Sequence, residues 1–131
     1  MQTTIYLYHI DDRKTLQTMQ FIAVRLGAKV KHITEDMAGQ KVGYIAGLNG
    51  FTDEISAEEF TLPTEQMMLL QGFTSQKIDQ LLALFRTAGI PRINLKAMLT
   101  ENNQNWFLYE LYEELKREHE EFNKPALHQK E

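Results

Sequence analysis

The chain has 131 residues, 43% hydrophobic and 24% charged, with a formal net charge of −4. These are the proportions of one globular domain with a buried core, and the acidic balance excludes general binding to nucleic acid or an anionic membrane surface, which needs a clustered basic surplus. The absence of cysteine removes disulfides, thiolate metal ligands and Cys nucleophiles.

Residues 1–4 (Met-Gln-Thr-Thr) have neither the basic start nor the apolar stretch of a secretory signal. No apolar run approaches the roughly 20 residues of a membrane span. A cytoplasmic location without a membrane partner is expected.

Residues 5–10 read Ile-Tyr-Leu-Tyr-His-Ile, a β-branched and aromatic run that suits a central strand covered on both faces. Asp11 and Asp12 offer N-caps to a helix with Leu16, Met19, Ile22, Ala23 and Leu26 as its apolar stripe, and Gly27 stands at the left-handed C-cap. Residues 29–34 read as a second strand. Residues 35–48 begin acidic and space Met37, Tyr44, Ile45 and Leu48 roughly as a helix would, although Gly39, Gly43 and Gly47 weaken helix formation. The first half thus covers 1–48. An acidic linker, 49–66, follows; its Phe51, Ile55, Phe60 and Leu62 favour packing along the domain surface.

The second half, 67–124, repeats the order. Residues 67–70 form an apolar strand, Thr74 or Ser75 caps a helix with Ile78, Leu81, Leu82, Phe85 and Ala88 as its stripe, and Gly89 stops it. Residues 91–97 read as a strand in which Ile93 and Leu95 alternate with Arg92, Asn94 and Lys96. Leu108, Leu111, Tyr112, Leu115, His119 and Phe122 mark a long amphipathic helix, and 125–131 form a polar tail.

An offset of 62 residues lays Gly27 on Gly89, Leu16 on Ile78, Met19 on Leu81 and Ile22 on Leu84. One extra residue near Pro91 then brings Val30 onto Ile93. Two tandem βαβα units related by duplication are expected to form one four-stranded mixed or parallel α/β sheet with helices packed on it. Right-handed crossovers make the strands of each half parallel, and the two most apolar strands belong in the middle, giving the order 2-1-3-4.

In parallel sheets ligands gather beyond the carboxyl ends of the strands. Those ends carry His9, Asp11 and Asp12; Thr34, Glu35 and Asp36; Gly72 to Ser75; and Lys96 to Asn103. A metal site would need His9 and His32 to converge with carboxylates; the acidic residues serve equally as helix caps, and no metal or cofactor is expected. The turn from Gly72 to Ser75 with Lys77 lacks the glycines and Lys-Ser/Thr spacing of a P-loop. Gly39, Gly43 and Gly47 would share one face of a helix over 35–48, a surface for close approach within the monomer or across a homodimer. Arg92, Asn94 and Lys96, with Lys29 and Lys31, offer an anion-binding surface or simply the solvated face of an edge strand. Neither Ser56 nor Ser75 sits in a nucleophile elbow, and no carboxylate pair stands out for acid–base work, so no catalytic residue is assigned.

From residue 67 onward the chain resembles the bacterial domain of unknown function 3783 family. The resembling residues are Met68-Leu69-Leu70-Gln71-Gly72-Phe73, Ala88-Gly89-Ile90-Pro91-Arg92, Leu95-Lys96-Ala97-Met98-Leu99-Thr100, Asn103, Asn105-Trp106 and the run from Glu113 to His119. The stretch from Gln40 to Leu48 is similar to what precedes the domain in such proteins. The resemblance implies a small bacterial cytoplasmic protein and brings no activity with it. It groups Arg92, Lys96, Thr100, Asn103 and Trp106 as the expected binding patch, with Thr100 and Asn103 equally able to cap a helix and Trp106 to fill the core. The expected function is a non-catalytic module for a small anionic ligand or a partner protein of unknown identity. A protein-interaction or homodimerisation domain is the alternative, and an enzyme the third reading.

Overall fold

The computed structural model describes residues 2–123, so the polar tail 125–131 lies outside the described residues. Strand β1 (Thr4–Tyr8), helix α1 (Arg13–Arg25) and β2 (Lys29–Ile33) are followed by a 3-10 turn (Glu35–Met37) and the short helix α2 (Val42–Ile45). Then come β3 (Met67–Gln71), α3 (Ser75–Thr87), β4 (Leu95–Met98), a second 3-10 turn (Asn103–Asn105) and α4 (Leu108–Phe122).

The four strands form one mixed sheet in the order β2-β1-β3-β4, the expected order. β1 runs parallel to β2 and β3 parallel to β4, while the two pairs meet antiparallel through β1 and β3. Every residue of β1 and β3 is buried, because helices cover both faces of the sheet. On one face Ile5, Leu7, Met68 and Leu70 pack under Met19 and Ile22 of α1 and Leu81 and Phe85 of α3. On the other, Tyr6, Tyr8, Met67 and Leu69 pack under Val42 of α2 and Leu108 and Leu111 of α4.

The two large helices of the first face start and stop where local chemistry dictates. The Asp12 carboxylate accepts the Thr15 backbone N–H at 2.9 Å, and the Thr74 hydroxyl accepts that of Lys77 at 3.1 Å. Gly27 and Gly89 follow with φ of 71° and 79°, a left-handed backbone that costs glycine nothing. The offset of 62 residues carries α1 onto α3 end for end.

The halves then diverge. Only Ala28 separates Gly27 from β2, whereas residues 90–94 separate Gly89 from β4. The expected strand over 91–97 is therefore shorter and later, and Val30 does not correspond to Ile93. Pro91 has no N–H to give a sheet and biases Ile90 away from helix, so the chain loops before it pairs. Ile93 ends in the α1/α3 core and Leu95 in the α4 core, on opposite faces.

A helix over 35–48 is replaced by the 3-10 turn, a bend and the four residues of α2. Gly39, Gly43 and Gly47 consequently share no helical face. Gly39 lies in a turn, and a Cβ there would stand 3.2 Å from the Phe60 ring. Gly43 is buried, and the Phe51 ring fills the space a Cβ would need. Gly47 has φ 74° just past α2. The chain's own segment 49–66 thus covers Gly39 and Gly43, and the common glycine face expected for close approach does not form.

That segment is tied down along its length. The Ser56 N–H donates to the Gly39 carbonyl at 2.9 Å, and the Ser56 hydroxyl bonds that of Tyr109 at 3.0 Å. Phe60 stacks on Tyr109 at 4.3 Å, and the Tyr8 hydroxyl donates to the Pro63 carbonyl at 2.7 Å. Burial, and then the negative charge of Glu35, pushes the Tyr8 phenol up to about 12.

Candidate functional site

The antiparallel joint between β1 and β3 divides the strand ends that a parallel sheet would gather. The carboxyl ends of β1 and β2, with His9, Asp11, Asp12 and Glu35, lie at one end of the sheet; those of β3 and β4 lie at the opposite end. At the first of these ends His9 Nε2 pairs with the Glu35 carboxylate at 2.6 Å, and its ring stacks on Tyr8 at 4.4 Å. His32 is exposed on the edge strand β2. Among the described residues no three His, Asp or Glu side chains come together as a metal site.

A cleft of about 600 Å³ lies between the last turn of α3 and the free edge of β4. Met68, Leu82, Phe85 and Ile93 give it apolar walls, and the segment 89–93 forms one side. Its charged residues are Arg86, Arg92 and Lys96, and no carboxylate lines it. None of the three cations is in an ion pair among the described residues.

The sheet register explains how a lysine comes to lie there. Lys96 is the second residue of β4 and pairs with Met68, which belongs to the α1/α3 core. Val30 is the second residue of β2, pairs with Ile5 and packs against the same core. Lys96 therefore takes in the second half the place that an aliphatic side chain takes in the first. Its stem runs over apolar surface, and its ammonium donates to the Ile93 carbonyl at 2.8 Å, leaving two N–H groups for another acceptor. Partial burial, and then the charge of Arg92, lowers the pKa of this ammonium below its ordinary value. An anion in the cleft would act against both by favouring the charged ammonium.

The five residues expected as one patch separate into two groups. Arg92 and Lys96 line the cleft. Thr100, Asn103 and Trp106 hold the turn between β4 and α4. Asn103 Oδ1 accepts the Thr100 N–H at 2.8 Å while the Thr100 hydroxyl accepts the Asn103 N–H at 3.0 Å. Asn103 Nδ2 also donates to the Met98 carbonyl at 2.8 Å. Trp106 packs against the α4-side core, and its carbonyl accepts the Val42 N–H at 2.8 Å. Asn94 is exposed in the loop before β4, and Lys29 and Lys31 lie on β2 at the far edge of the sheet, so none joins the cleft.

Arg86 is the lining cation that the sequence pattern did not single out. It belongs to the last turn of α3, where a basic residue reads simply as a favourable partner of the helix dipole. Its position three residues before Gly89, the pivot of the loop that carries Arg92, is the signal that could have placed it.

Among the described residues no helix is long and apolar enough to cross a membrane. No curated protein and no solved structure matches the chain. Residues 66–122, which contain β3, α3, β4, α4 and every residue lining the cleft, match the family model described as Domain of unknown function (DUF3783).

Proposed function

We propose that the chain is a non-catalytic binding module whose ligand is a small anion with an apolar body, seated in the cleft between α3 and β4. The observation that carries this reading is the composition of the cleft: Arg86, Arg92 and Lys96 without a facing carboxylate, above apolar walls. Cations left without a counter-ion around an apolar hollow fit a carboxylate or phosphate attached to a hydrocarbon group. The cysteine-free sequence is consistent with work in the reducing cytoplasm.

A thermal-shift series tests it with inorganic phosphate, phenyl phosphate, hexanoate and N-acetyl-leucine, on the natural chain and on Arg92→Ala/Lys96→Ala. Binding to the folded state at a hundredfold excess over Kd adds about 2.7 kcal/mol, a rise of several degrees for a domain of this size. The anions with apolar groups should raise the midpoint of the natural chain and leave the variant unmoved. An equal rise in both would place the binding elsewhere and refute the reading.

A further inference from the structure

The cleft borders a strand edge that is open for pairing. The Leu99 N–H donates to the Leu70 carbonyl at 2.7 Å, so Leu99 faces β3. Backbone groups alternate sides along a strand, so Ala97 and Leu95 face β3 as well, and the N–H and C=O of Lys96 and Met98 face outward. The Met98 carbonyl is taken by Asn103 Nδ2 at 2.8 Å, which closes the edge at its carboxyl end. The Lys96 pair has no hydrogen-bond partner among the described residues.

The two edges of the sheet are defended differently. β2 carries Lys29, Lys31 and His32, all exposed, the kind of charged edge that discourages pairing. β4 carries Lys96, half-buried over the cleft, then Ala97 and Met98.

We infer that the occupant of the cleft is the carboxyl-terminal segment of a partner polypeptide, added antiparallel to β4 as a fifth strand, with its terminal carboxylate at Arg92 and Arg86. This rests on the anion-binding reading and names the anion. Direction follows from charge. An antiparallel strand runs from Met98 towards Leu95, and its carboxyl end reaches the side where the chain enters β4 from Arg92 and where α3 ends at Arg86. The residue opposite Lys96 exchanges two backbone hydrogen bonds with it and projects its side chain to the same face, into the apolar cleft. Every second residue does likewise. Backbone bonds supply affinity, and the cleft selects apolar residues at alternate positions before a free carboxylate.

A library of random hexapeptides attached by their amino ends, with free carboxyl termini, is the direct test, beside N-acetyl-leucine as the minimal anion. Selection should enrich apolar residues at alternate positions. Amidating the selected peptides should weaken binding by roughly tenfold or more, as should Arg92→Ala, each being the loss of a charge-assisted hydrogen bond. Methylating the backbone nitrogen opposite Lys96 should weaken binding similarly, whereas methylating the next residue should not; circular dichroism verifies that the variant is folded. If N-acetyl-leucine binds while the library is unselected, or if amidated and free peptides bind alike, strand addition is overturned and the anion cleft stands. If neither binds, the anion cleft itself falls.

Discussion

His9 and Gly72 occupy the same place in the two halves: each follows its strand by one residue, and each has a left-handed backbone, with φ of 60° and 77°. The chain turns there from the sheet towards the N-cap of α1 or α3. The first half makes the turn with a histidine that stacks on Tyr8 and pairs with Glu35. The second uses a glycine because there is no room for more: a Cβ on Gly72 would stand 2.8 Å from the Gln2 carbonyl oxygen.

Gly72→Ala should therefore destabilise strongly. The left-handed conformation costs an L-residue roughly 1–2 kcal/mol, and the displaced Gln2 backbone adds to it, so a loss of about 2 kcal/mol or more is expected. Urea unfolding measures it, and a loss under about 0.5 kcal/mol would contradict the close approach.

Asn103→Ala should cost about 1–3 kcal/mol, since the buried side chain makes two hydrogen bonds, from the Thr100 N–H and to the Met98 carbonyl, and its loss leaves both groups without a partner. Because it lies outside the cleft, the binding of N-acetyl-leucine should be unchanged. An undiminished midpoint with weakened binding would return Asn103 to the binding site.

Gly43→Ala should cost roughly 1–3 kcal/mol by overpacking against the Phe51 ring. In a Phe51→Ala background most of that cost should vanish, a coupling that a double-mutant cycle reads directly. The oligomeric state, followed by sedimentation, should be the same for all three variants and the natural chain.

The elements of this fold were legible wherever the cause is local. Asp12, Thr74, Gly27 and Gly89 mark helix ends in the sequence and do so in the structure. The continuous apolar runs of β1 and β3 identify central strands, and burial on both faces is the reason. The antiparallel joint that sends the two sets of carboxyl ends to opposite ends of the sheet is a long-range pairing with no local mark.

Other features misled for physical reasons. Ile93 and Leu95 alternate as a half-buried strand would, yet they serve opposite cores because Ile93 precedes the strand. Gly39, Gly43 and Gly47 keep helical spacing without a helix, and the rings that meet Gly39 and Gly43 come from the segment 49–66 that follows. Of the cleft, Arg92 and Lys96 were visible as cations; their union with Arg86 depends on the loop 90–94.

Lys96 gives the site a pH signature. With its pKa lower in the folded chain than in the unfolded one, the folded state releases the proton first as pH rises. Stability missing below the folded value is recovered on the way to the ordinary lysine value of 10.5. The natural chain should thus gain stability relative to Lys96→Met between pH 7 and that value, as followed by urea midpoints. A pH-independent difference would mean that folding leaves the pKa of this ammonium unchanged.

The central claim is that an anion binds in the cleft, and an amide ¹H–¹⁵N titration with N-acetyl-leucine tests it most directly. The account predicts saturable shifts concentrated on Met68, Arg86, Gly89, Ile90 and Arg92 to Lys96, all abolished in Arg92→Ala/Lys96→Ala. Saturable shifts centred elsewhere, such as on His9 and Glu35, or no shifts at millimolar ligand, would contradict it.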